Sequence, residues 1–134
     1  MKAVETALYG WLSTDSALTT ALGGTAVYNT VVPPGTPRPY VVFFNAGGGY
    51  ANIWHDSPHQ NLTYLVKGVA DALSAAATID ELLEDRLHHA EGSLSVTGYT
   101  TLWMARENEA QLVEAAANGD RIYHCGAYYR LRIE

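Results

Sequence analysis

Arg121-Ile-Tyr-His-Cys-Gly-Ala-Tyr-Tyr-Arg-Leu-Arg-Ile-Glu134 closes the chain and organises the reading of the rest. At period two, Tyr123, Cys125, Ala127, Tyr129, Leu131 and Ile133 fall on one face, and Ile122, His124, Gly126, Tyr128, Arg130 and Arg132 on the other. That alternation is the mark of a strand with one buried face. About a dozen residues at roughly 3.3 Å each span about 40 Å, so this strand has room for partners along its whole length.

Working outward, the preceding residues prepare such a sheet. Tyr40-Val-Val-Phe-Phe-Asn45 is β-branched and aromatic without alternation, as in a central strand covered on both faces. Asn61 to Val69 alternates and is predicted to pair with it as a hairpin. Between them, residues 46–60 hold three consecutive glycines, Tyr50, Trp54 and two histidines, with no helical or strand period, and are expected to form a long loop. Short strands are expected at Ala26 to Asn29 and Ser93 to Thr97, and another at Thr100 to Glu107. Asn108 to Asp120 is polar and ends in Asn-Gly-Asp, a turn signal.

Two stretches carry helical period. Val4, Leu8, Trp11 and Leu12 form one apolar stripe, and after a break at Ser13-Thr14 a short second turn carries Leu18, Ala21 and Leu22, with Thr14 or Asp15 as cap and Gly23-Gly24 as stop. Ile79, Leu82, Leu83 and Leu87 form the stripe of a middle helix, for which Ser74 and Thr78 are alternative caps. The Pro-rich Val32 to Pro39 can be neither helix nor inner strand. The pattern predicts an α+β fold: a mixed, mainly antiparallel sheet with the N-terminal and middle helices packed on one face. At 134 residues and 48% hydrophobic content, a single domain spanning 1–134 is expected.

Composition narrows the function classes. A formal charge of -6, from 14 acidic and 8 basic residues, disfavours tight or sequence-specific nucleic-acid binding, which needs clustered Lys and Arg. No uninterrupted apolar run reaches the roughly 18 residues of a membrane span, and Glu5 and Thr6 stand where a signal peptide would need an apolar centre, so folding in a cytoplasm is expected. The lone Cys125 lies on the apolar face of its strand and reads as a buried small hydrophobe.

Catalytic patterns are weak. His55, Asp56 and His59 are the best metal candidates, but Pro58 interrupts the helical spacing that would put the two histidines on one face. Gly47-Gly48-Gly49 follows a strand as a phosphate loop would, yet no Lys-Ser or Lys-Thr follows. There is no Gly-x-Ser-x-Gly elbow, and Glu81 with Asp85 reads as a solvated helix face. The residues therefore point away from an enzyme. A metal-dependent enzyme using His55, Asp56 and His59, and a ligand-binding domain with a pocket at Tyr128 and Trp103, remain the alternatives.

Leu12, Asp15 and Leu18 with their glycine turn, the Val27-Tyr28 strand, Arg38-Pro39-Tyr40-Val41-Val42 at the end of the Pro-rich stretch, and the closing aromatic and basic strand together resemble the tail completion or tail terminator proteins of long-tailed, siphovirus-like phages. The resemblance implies a virion structural protein that forms a ring, commonly a hexamer, at the head-proximal end of the tail. Its partners would be further copies of itself, the tail tube protein and the head connector, and it would be assembled in the host cytoplasm. No catalytic residues, cofactor or metal are implied. Tyr50, Ile53 and Trp54 on the glycine-rich loop, and Tyr128, Arg130 and Arg132 on the terminal strand, are the expected interface residues.

Overall fold

The computed structural model describes residues 1–50, for Tyr50 the backbone only, and 59–134. Helices α1 (Lys2–Ser13) and α2 (Ser16–Leu22) lead into β1 (Val27–Asn29), β2 (Tyr40–Tyr50) and β3 (Gln60–Ala70). Helix α3 (Leu73–Leu87) and a 3-10 turn at Ala90–Gly92 then precede β4 (Thr101–Ala115) and β5 (Arg121–Ile133). The strands form one sheet in the order β1-β2-β3-β5-β4, with β1 parallel to β2 and every other pairing antiparallel. The fold is α+β, as the sequence pattern predicts.

The terminal strand lies inside the sheet. It pairs with β3 from Gln60↔Ile133 to Ala70↔Tyr123, and with β4 from Thr101↔Ile133 to Ala115↔Arg121. Its face carrying Ala127, Tyr129, Leu131 and Ile133 is buried with Leu62, Tyr64 and Val66 of β3 and Val41 and Phe43 of β2. Against that face sit Val4, Leu8 and Leu12 of α1, Leu18 and Leu22 of α2, and Ile79, Leu83 and Leu87 of α3. Each such side chain contributes about 1.5–3 kcal/mol by leaving water, so this single interface holds the layers together.

Two glycines permit close approaches, one between layers and one within the sheet. A Cβ on Gly68 would collide with the Ile79 side chain, so the missing methyl lets α3 rest on β3. A Cβ on Gly126 would run into the Val66 carbonyl oxygen and the Lys67 backbone, on the adjoining strand. Gly23, with φ of 74°, ends α2 in the left-handed conformation and donates its N–H back to the helix.

Four sequence expectations are corrected. The glycines do not open a loop at residue 46: β2 continues to Tyr50, opposite Gln60, with an irregularity between Asn45 and Gly47 where the Asn45 side chain accepts the Gly47 N–H at 2.7 Å. Backbone pairing carries this arm without alternating side chains. Ser93 to Thr97 is no strand, since Val96 makes only an isolated bridge to Tyr99 around Gly98. The polar 108–115 stretch is strand, the outer half of β4, exposed along most of its length and so free of apolar period. Finally, neither Ser74 nor Thr78 caps α3; Ala72 is the N-cap, and Thr78 sits inside the helix donating to the Ser74 carbonyl at 2.9 Å. Ala76 and Ile79 of its first turns are buried, Ile79 over Gly68 of β3.

A candidate interaction face

The sheet face turned away from the helices is assembled by cross-strand rows. Asn61, Arg132 and Trp103 form one row across β3, β5 and β4; Thr63, Arg130 and Ala105 form the next. Phe44, Leu65 and Tyr128 follow, then Val42, Lys67, Gly126 and Ala110, then Tyr40, Val69, His124 and Leu112. Val42, Leu65, Val69 and Ala105 on this face are buried although they lie outside the helix-facing core.

The polar groups here are tied down in a graded way. His124 is 8% exposed and its Nε2 lies 2.6 Å from Glu114 Oε1 of β4. Burial pushes the Lys67 amine below its usual range, and the field of Glu114 partly offsets that. Tyr28 and Tyr40 meet edge to face at 6.0 Å. Arg130 Nη2 reaches Glu107 Oε2 at 3.1 Å with both side chains partly exposed, a pair of modest strength. Arg132 is exposed, and no ion pair holds it among the described residues.

Arg130 and Arg132, with Asn61, Leu102 and Trp103, line an open concavity of about 480 Å³. Leu102 and Trp103 are each 37% exposed, and further along the same strand Leu112 and Val113 are 55% and 48% exposed. β4 is the outer strand of the sheet; the His89 N–H donates to the Met104 carbonyl at 2.9 Å and the Arg106 N–H to His88 Nδ1 at 3.1 Å, and beyond these its outer edge has no strand partner among the described residues. Monomeric proteins normally shield such an edge with charge, proline or a cover.

Of the residues expected at an interface, Arg130 and Arg132 share this concavity; Tyr128 lies on the same face but does not line it. The pocket expected from Tyr128 with Trp103 is therefore not formed by that pair. Ile53, Trp54, His55, Asp56 and the Tyr50 side chain lie outside the described residues. His59 Nδ1 sits 3.3 Å from Glu134 Oε2. Among the described residues no three His, Cys, Asp or Glu side chains are placed to hold a metal ion. Cys125 is buried, and burial pushes its thiol up, away from the reactive thiolate. Asn61 and Leu102 were not marked by the sequence reading. The adjacent apolar pair Leu102-Trp103 was the available signal, because a strand can bury only one of two neighbours on a single face.

A helix-backed sheet with one sealed face and one charged, aromatic face defines a small α+β domain equipped for contact with other proteins. Residues 6–129 match the family described as Tail completion protein gp17, and the chain belongs to that family, which makes it a phage tail structural protein. Among solved structures, a chain from "Virion of native gene transfer agent (GTA) particle" shares the fold, with a TM-score of 0.72 at 19% identity over 95% of this chain and 91% of that one. No curated protein matches the chain. Among the described residues no helix is long and apolar enough to cross a membrane.

Proposed function

We propose that this protein forms a ring of identical copies, six in the commonest arrangement, that closes the head-proximal end of a phage tail tube and joins it to the head connector. The observation that carries this reading is the outer strand β4, which leaves Leu102, Trp103, Leu112 and Val113 exposed at the rim of the sheet. Family membership and the fold shared with a chain of a virion particle support it. The role needs no catalysis and no cofactor: the work is done by surfaces that complement one another. Partners are other copies, the tail tube protein and the head connector, met in the host cytoplasm during assembly. An acidic chain also suits a ring through which DNA passes, since a lumen of the same sign as the phosphates does not grip them.

Light scattering over a range of concentrations, with electron microscopy of tail tubes mixed with the protein, tests the proposal. Rings in solution or capped, length-limited tubes are expected. A protein that stays monomeric and neither caps nor shortens tubes would overturn it.

A further inference from the structure

We propose that the concavity lined by Asn61, Leu102, Trp103, Arg130 and Arg132 receives the acidic outer face of α3 from a second copy of this chain, so that successive copies join head to tail. The inference rests on the ring reading above and assigns its contact surface. Two features on opposite sides of one molecule carry it. On the open sheet face, Arg132 is exposed and without an acid partner among the described residues, beside the half-exposed Trp103. On the helix layer, Glu81, Glu84 and Asp85 are exposed and likewise without a cationic partner, whereas Asp80 is taken by Arg106.

The spacings agree. Arg130 and Arg132, two residues apart on a strand, stand about 7 Å from each other. Glu81, Glu84 and Asp85, at i, i+3 and i+4, cover about 6 Å of helix axis on one side. A helix turn bearing three carboxylates can therefore face both guanidinium groups at once, Arg130 exchanging its partly exposed Glu107 partner, with the methylene stems of the glutamates against Leu102 and Trp103. Tryptophan and arginine at the centre of a contact are the residue types that most often dominate binding.

Because donor and acceptor lie on opposite faces, one partner cannot satisfy both. Each copy gives α3 to one neighbour and its concavity to another, which is the heterologous arrangement from which rings are built. The contact stands on charge, so self-association should weaken as salt rises.

Charge reversal tests the assignment on the full chain, with thermal melts showing that the exposed substitutions leave the fold intact. Arg132→Glu alone, and Glu84→Arg alone, should each raise the concentration needed for self-association by about tenfold or more. Both changes in one chain should restore it, and mixing the two single variants should give more association than either alone. Self-association that ignores both variants overturns this contact and leaves the ring reading standing. A natural protein that is monomeric both alone and on tail tubes overturns the two together. Loss of tube binding with self-association intact assigns the concavity to another tail protein and overturns the proposal.

Discussion

Arg106 grips Asp80 with two parallel hydrogen bonds, Nη1 donating to Oδ1 at 2.8 Å and Nη2 to Oδ2 at 2.9 Å. The guanidinium is 8% exposed and the carboxylate 18%. The pair ties β4 to α3 across the sheet, and Nη1 also donates to the Tyr129 hydroxyl at 3.3 Å. Those hydrogen bonds raise the arginine's pKa further, so its charge persists at any ordinary pH.

Asp80→Ala would leave that cation largely buried with only Glu109 at 3.4 Å as counter-charge. A loss of about 2–3 kcal/mol is expected by chemical denaturation. Asp80→Asn should fall between the two, because the amide keeps one acceptor. A variant as stable as the natural chain would show that the pair is structurally idle.

Trp11 and Arg86 exchange contacts in both directions. The Trp11 indole donates to the Arg86 carbonyl at 2.9 Å, Arg86 Nε donates to the Trp11 carbonyl at 2.9 Å, and the guanidinium lies 3.4 Å over the ring. This locks the end of α1 to the end of α3. Arg86→Lys keeps the charge but loses the planar stack and the fixed Nε donor, and should cost about 1–2 kcal/mol in thermal or urea unfolding. Trp11→Phe should cost a similar amount, since the Arg86 carbonyl then loses its donor.

Gly126→Ala should destabilise by about 2 kcal/mol or more, and by more than Gly68→Ala. At Gly126 the new methyl meets backbone, including Lys67 Cα at 2.5 Å, in the middle of the β3–β5 ladder. At Gly68 it meets the Ile79 side chain, with Cβ at 2.8 Å, which a small shift of α3 can relieve. Equal melting temperatures for the two variants would contradict this reading.

Tyr64 and Tyr129 have their phenols pushed up to about 12, by burial before any other cause. The unfolded chain ionises these groups near 10, so between about pH 10 and 12 the unfolded state binds fewer protons and stability falls as pH rises. Cys125, also raised by burial, adds loss beginning nearer pH 9. Lys67, lowered by burial, acts oppositely as pH climbs toward its unfolded value of 10.5. The expected outcome is a net loss of about 2 kcal/mol or more across that alkaline window. Tyr129→Phe should flatten the decline, which pH-dependent melting curves would read directly.

Much of the architecture was legible because apolar period survives wherever one face is sealed. The stripe Val4, Leu8 and Leu12, the stripe Ile79, Leu83 and Leu87, and the alternation along β5 each mark a side packed against a second layer. The outer half of β4 and the glycine arm of β2 were misread because both are held by backbone pairing with little side-chain burial. Of the interface candidates, Arg130 and Arg132 were visible as cations on the polar face of a strand. Asn61 and Leu102 were not, since only the register of β3 and β4 on β5 places them beside Arg132.

The sequence by itself determined which side of each element is apolar, that β5 runs its full length as a strand, and the family resemblance carried by its local motifs. Those properties are written in neighbours one to four residues apart. Tertiary structure alone decided the strand order, the partners of Arg106 and Arg86, and the meeting of Trp103 with Arg132. The reason is physical: residues far apart in the chain, such as Trp11 and Arg86, meet through pairing register and layer packing, and no local period records that distance.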